Sequence, residues 1–334
     1  DQPGHYLSAV LAPDGHEVLY HRAGGDGVRG SRWDAEPGIW RRKLEDGAAP
    51  RFLTREGRKP RYAPDGRRIL LVSREGERSA LVSIDRIGSD RRVVLTSERA
   101  VDFEVSPDGR HVAFEELWQT YVAALPAQPK PLEVGPGTNF VPVRRLSYPG
   151  GTYLSWSPDG RTVRWSLGSQ LFSADAEAVL GLAPAKGPDA PRGCGTATPL
   201  HWSQPAAAPE GVVAIRHATV LPMDDLSVLR DHVVVVRGNR IESVGPEGEV
   251  AVPDGAFEID ARGKVVLPGL VDVHSHSGSA SGGVLPEQNW KLVAMLAFGV
   301  TTAHDPSNDT QSIHLESEMV RAGLRLGPRL FSTG

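Results

Sequence analysis

The tripeptide Pro-Asp-Gly occurs four times in the first half of the chain, at 13–15, 64–66, 107–109 and 158–160, with spacings of 51, 43 and 51 residues. Proline presets φ at the second turn position, aspartate bonds its local backbone, and glycine accepts the positive φ that closes the turn, so each copy predicts a tight hairpin. Each is preceded by a small residue (Ala12, Ala63, Ser106, Ser157) and followed by an apolar or alternating run, such as Arg68-Ile69-Leu70-Leu71 or His111-Val112-Ala113-Phe114. Further β-type runs lie between the turns, among them Ala80–Ile84 and Arg92–Leu95. About four strands recur in each period, the size of one propeller blade.

These repeats resemble TolB-like β-propeller blades, whose mark is Ser-Pro-Asp-Gly after a short apolar strand. Residues 106–109 and 157–160 carry that motif intact, whereas the first two copies have Ala in place of Ser. The resemblance assigns residues 1–175 to propeller blades. Such propellers usually have about six or seven blades, so four would leave strand edges and a blade face open. The expectation is an incomplete propeller whose other blades lie upstream.

From 176 to 210 the strand pattern fades into stretches rich in Pro, Ala and Gly, read as an extended linker. His201 and Trp202 within it are expected to pack locally. The single cysteine, Cys194, reads as an incidental loop thiol, and one cysteine excludes both an internal disulfide framework and a cysteine zinc cage.

Residues 211–264 read as short strands, with Val233–Val236 as a buried run and Gly238-Asn239 as a hairpin tip. The pattern then changes. Val265 to His274 is nearly continuously apolar, as expected of a parallel strand buried on both faces. A helix is expected over 286–298, with Trp290, Val293, Ala294 and Ala297 on one face. Val300–His304 reads as a second strand, Asp309 as the cap of a second helix ending near Gly323, and Arg329–Phe331 as a third strand. This β-α-β-α-β order implies a parallel sheet.

The chemistry centres on His274-Ser275-His276. Side chains two apart in a strand share a face, so two imidazoles there can grip one metal ion and leave positions open for water. They sit at the strand's C-terminal end, where (β/α) barrels place their active sites.

The segment Leu267-Pro268-Gly269-Leu270-Val271-Asp272-Val273-His274-Ser275-His276 resembles the first-strand signature of the amidohydrolase superfamily, and Gly299-Val300-Thr301-Thr302 resembles its second strand. The resemblance covers roughly residues 211–334. It implies a small β-sandwich over 211–264, then the first strands and helices of a metal-dependent (β/α)8 TIM-like barrel over 265–334. It also implies one or two divalent metals, zinc above all, with His274 and His276 as ligands. The family's later ligands (a carboxylated lysine or glutamate and two further histidines) and its catalytic aspartate have no counterpart in this chain. Asp272 is a candidate for orienting an imidazole, with a structural role on the strand's other face as the alternative. His304 and Asp305, at the end of the second strand, are candidates to reach substrate, the alternative being a hydrogen-bonded loop start. His314 is expected at the surface.

The implied activity is hydrolysis of C–N amide-type bonds, outside ordinary peptide bonds or dipeptidase-like, by water that a metal acidifies. Substrates would be small or peptide-like molecules. The alternative is a propeller-based peptide- or protein-binding module with a degenerate hydrolase domain. A further reading lets the propeller gate the barrel.

Net charge of −4 without a basic stripe speaks against nucleic acid, and no apolar run is long enough to span a membrane. The chain starts at Asp1 without a visible signal peptide and stops after an apolar stretch. The expectation is therefore a partial piece, inactive in isolation, that needs the remaining propeller and barrel segments as partners. A homo-oligomer is left open. The propeller resemblance leans toward the periplasm or secretion and leaves the cytoplasm open.

Overall fold

The computed structural model describes residues 6–24, 36–148, 150–182, 195–277 and 285–334. Cys194 lies outside them. The chain divides into two compact units, Asp1–His201 and Trp202–Gly334.

The first unit is a succession of antiparallel sheets. Sheet one holds β1 (Tyr6–Leu11), β2 (Glu17–Arg22), β3 (Gly38–Lys43) and β4 (Arg51–Thr54). Sheet two holds β5 (Arg58–Tyr62), β6 (Arg68–Glu75), β7 (Arg78–Asp85) and β8 (Arg92–Ser97). Sheet three runs through β9 (Ala100–Val105), β10 (His111–Glu116) and β11 (Gln119–Ala124). Next, β12 (Leu132–Glu133) adds in parallel to β8, and β13 (Val143–Arg145) completes sheet three. Sheet four holds β14 (Thr152–Trp156), β15 (Thr162–Leu167), β16 (Gln170–Asp175) and, after helix α1 (Ala176–Leu180), β17 (Thr196–Pro199). Thus the stretch read as linker contains a helix and the strand that closes sheet four.

All four Pro-Asp-Gly turns join the first two strands of a sheet in one geometry. The glycine, at φ between +66° and +73°, donates its N–H to the carbonyl of the residue before the proline, at 2.8–2.9 Å. The aspartate accepts from the N–H two residues on, at 3.0–3.1 Å. Where serine precedes the proline the turn gains more. Ser106 Oγ donates to Asp108 and accepts from the His111 N–H at 2.9 Å, and Ser157 repeats both bonds with Asp159 and Thr162.

The two middle sheets are buried on both faces. In β6, Ile69 and Leu71 pack toward sheet one while Leu70 and Val72 pack toward sheet three. In β10, Val112 and Phe114 face sheet two and Ala113 faces sheet four. Two-sided burial explains why these strands read as unbroken apolar runs. In the outer sheets one face dominates: Glu17 and Leu19 of β2, and Val163 and Trp165 of β15, point inward. Ion pairs bridge sheets two and three, Lys59 with Asp102 and Arg61 with Glu104.

The second unit opens with one five-stranded mixed sheet where a small sandwich was expected. Its strands are β18 (Val212–Val220), β19 (Leu229–Arg237), β20 (Arg240–Pro246), β21 (Phe257–Asp260) and β22 (Val265–Val266). Both β21 and β22 pair in parallel with β18. Apolar residues cover both faces, Val234 with Ala218 and Val220 on one, Val233 and Val235 with Ala214 on the other.

The expected continuous strand from 265 to 274 is split. After β22 the chain leaves the mixed sheet at Leu267-Pro268-Gly269 and enters a second sheet as β23 (Leu270–Asp272). Proline lacks a ladder donor, which suits a crossing point between sheets. A parallel three-stranded sheet follows in the order β23, β24 (Val300–Asp305), β25 (Arg329–Ser332), with α2 (Trp290–Ala297) and α3 (Thr310–Arg321) in the connections. Asp309 caps α3 by accepting from the Ser312 N–H at 2.9 Å, and Gly323 follows its end at φ +72°. The buried face of α2 differs from the expected one: Leu292 and Met295 pack on Ala303, Ile313 and Leu330, while Trp290 is 72% exposed. Asn289 caps α2, so Trp290 is the first helical residue and faces outward.

Candidate metal centre

His274, Ser275, His276 and Ser277 follow β23 directly, and their side chains alternate. Both histidines are exposed and both serines are buried. The two imidazole centroids lie 5.2 Å apart with the rings steeply inclined. The i, i+2 spacing sets the two exposed rings next to each other. These are donor types and a spacing that fit two positions around one divalent cation. Among the described residues, no group of three or more His, Cys, Asp or Glu could hold a metal ion.

The segment is tied to β24 along its buried side. The Ser275 N–H donates to the His304 carbonyl at 2.9 Å. Asp272 turns back on its own strand end and accepts from the His274 N–H at 3.1 Å. His304 Nδ1 lies 3.3 Å from the Val273 carbonyl oxygen.

Asp305 is completely buried. Its Oδ2 accepts from the Ser277 N–H at 3.0 Å and from Asn308 Nδ2 at 2.8 Å, its Oδ1 from the Ser307 N–H at 3.2 Å, and Oδ1 stands 3.8 Å from His276 Nδ1. Of the five residues singled out in the sequence, all gather at this strand end. His274 and His276 present rings to the open side, while Asp272 and Asp305 bond backbone N–H groups of the same segment. His314 is exposed on α3.

Beneath the segment lies a layer that local sequence pattern marks only at Asn289. Asn289 donates from Nδ2 to the Ser277 carbonyl at 2.8 Å and to Glu316 Oε1 at 3.0 Å. Glu316 is paired with Arg325 at 3.2 Å, both side chains at most 3% exposed. Asn289 as a helix cap was a readable signal, because it precedes an apolar-periodic run. The Glu316–Arg325 pair joins the middle of α3 to the loop after it, and no fixed spacing announces such a contact.

No family model matches the chain. It is similar to imidazolonepropionase of Rubrobacter xylanophilus, 37% identical over 87 residues, which are 25% of this chain and 20% of that protein. Imidazolonepropionase of Chloroflexus aggregans is 51% identical over 55 residues, 16% of this chain and 13% of the relative. 5-Methylthioadenosine/S-adenosylhomocysteine deaminase of Pelotomaculum thermopropionicum is 42% identical over 69 residues, 20% of this chain and 16% of the relative. Among solved structures, a putative prolidase from Bifidobacterium longum aligns over 37% of this chain and 30% of its own, at 28% identity and a TM-score of 0.32. The matched segments span about a fifth or less of these curated relatives, and over that span the likeness supports the amidohydrolase superfamily.

Proposed function

We propose that the protein is a metal-dependent hydrolase of C–N bonds in small or peptide-like molecules, with His274 and His276 as two of its metal ligands. The observation that carries this reading is the pair of exposed imidazoles, 5.2 Å apart, just past the C-terminal end of the first of three parallel strands. Open α/β sheets and barrels place their chemistry at that end. The names of the curated relatives, imidazolonepropionase and a deaminase, indicate amidohydrolase-type hydrolases acting on C–N bonds.

A divalent cation, zinc in our reading, supplies Lewis acidity toward water and a scissile carbonyl. The chain's own residues set the donors. Asp272 fixes the backbone at His274, Asp305 fixes it at Ser277, and the two rings stand exposed. In the same reading the three parallel strands begin a (β/α)8 barrel, and further strands bring the remaining ligands and the proton-transferring carboxylate. The four antiparallel sheets are TolB-like propeller blades, and the protein works outside the cytoplasm, a reading that rests on the blade resemblance.

The test uses the full-length protein, purified with zinc, and measures bound metal and the hydrolysis of N-acyl amino acids and dipeptides before and after chelation. Bound zinc, lost in His274→Ala and His276→Ala, with hydrolysis that chelation removes, is the expected result. Full-length protein that holds no metal and binds peptides without cleaving them would sink the reading and leave a propeller-based binding module.

A further inference from the structure

We propose that Asn289, held by the buried Glu316–Arg325 pair, is a positioning residue for His276; the inference rests on His276 being a metal ligand. The peptide groups flanking the Ser277 side chain are gripped from two sides. Asp305 accepts from its N–H at 3.0 Å, and Asn289 Nδ2 donates to its carbonyl at 2.8 Å. The N–H bond belongs to the peptide that leaves His276, so the grip fixes the backbone on which that ring is mounted.

Each gripping group is itself anchored. The Asn289 amide has both ends occupied: Oδ1 accepts from the Lys291 N–H at 3.0 Å as the cap of α2, and Nδ2 is shared between Ser277 and Glu316. Glu316 comes from α3, and Arg325, from the loop after it, also donates to the Pro286 carbonyl. Ser277, Asn289, Asp305, Glu316 and Arg325 are all at most 6% exposed. A buried ion pair adds little net stability but is costly to break from one side, so it holds its geometry stiffly. His276, by contrast, is 61% exposed, and its Nδ1 stands 3.8 Å from Asp305 Oδ1, the same carboxylate that holds the Ser277 N–H through its other oxygen. The backbone that carries it is held from beneath, at Ser277, by Asp305 at the end of β24 and by Asn289, the cap of α2, which Glu316 of α3 holds in turn.

Asn289→Ser isolates this role. Serine still caps a helix, so α2 stays formed, but it lacks the amide that reaches Ser277 and Glu316. In the full-length protein we expect Zn²⁺ affinity, read by competition with a chromophoric chelator, to fall about 10- to 100-fold, the usual cost of losing a partner that orients a ligand. In the metal-free protein the His276 imidazole resonances should shift while the His274 resonances move little. Amide exchange at Val293 and Phe298 reports that α2 is intact. The double substitution Glu316→Met with Arg325→Met removes the ion pair without leaving a buried charge, and it should lower Zn²⁺ affinity in the same direction. It decides the matter if Asn289→Ser does not fold. His276→Ala separates the two readings. If it abolishes Zn²⁺ binding while Asn289→Ser and the double variant stay within about twofold of wild type, the positioning role is wrong and the metal site stands. If His276→Ala binds Zn²⁺ as wild type does, the metal reading itself has failed.

Discussion

Replacing Gly269 by alanine should push the histidine-bearing strand away from its neighbour. Gly269 has no unusual φ; it is glycine because of what lies over it. The β23–β24 register slips between Leu270 and Val271, which leaves Thr301 as an extra residue bulged opposite this point. A Cβ built on Gly269 would meet Thr301 Cβ at 2.7 Å, with the threonine's rotatable atoms closer still. Those atoms can swing aside, but Thr301 Cβ is fixed to the backbone. An ordinary carbon contact is about 3.5 Å, so the strands must part by roughly 0.8 Å. Overpacking of this kind costs about 1–3 kcal/mol. At about 2–4 °C per kcal/mol the second unit should melt roughly 2–12 °C lower. Calorimetry reads that shift, and amide exchange of Leu270, bonded to the Gly299 carbonyl at 2.8 Å, reads the parting of the strands. Thr301→Ala in the Gly269→Ala background should recover only part of the loss, because its Cβ remains. A Gly269→Ala protein that melts within a degree of wild type, with unchanged Leu270 protection, refutes the steric reasoning.

Other outcomes follow from the first unit. Ala63→Ser should import the two side-chain bonds seen at Ser106 and Ser157, raising stability in urea by about 0.5–1.5 kcal/mol; no gain means the Ser-Pro-Asp-Gly bonds are neutral. Trp165→Ala should cost about 3–5 kcal/mol, since the ring is 1% exposed and stacks on Phe172 at 5.6 Å. Asp108 gives a pH signature. Burial pushes its carboxyl up, but bonds from Ser106 and Arg110 outweigh this and bring it down to about 2. A depressed carboxyl stabilises the fold above its unfolded value near ~4 and loses that contribution as pH falls toward about 2. Asp108→Asn should therefore flatten the acid limb of the stability curve over that window, and an unchanged limb counts against the assignment.

What the sequence determined is what a few adjacent residues can encode. Pro-Asp-Gly carries its own turn chemistry, so four hairpins with one geometry could be read directly. The Asp309 cap, the Gly323 stop and the β-α-β-α-β order were likewise local, as was the shared face of His274 and His276. Tertiary structure decided everything that depends on a partner far along the chain. It broke the apolar run at Pro268-Gly269, because Val265–Val266 finds β18 and Leu270–Asp272 finds β24. It turned α2 so that Leu292 and Met295 are covered, because Ala303, Ile313 and Leu330 lie on that side. It buried Asp305, a candidate to reach substrate, in bonds to Ser277, Ser307 and Asn308, and it joined Asn289, Glu316 and Arg325 into one support. Periodicity says which side chains share a face; only the neighbours that arrive on that face decide whether it is dry, wet or charged.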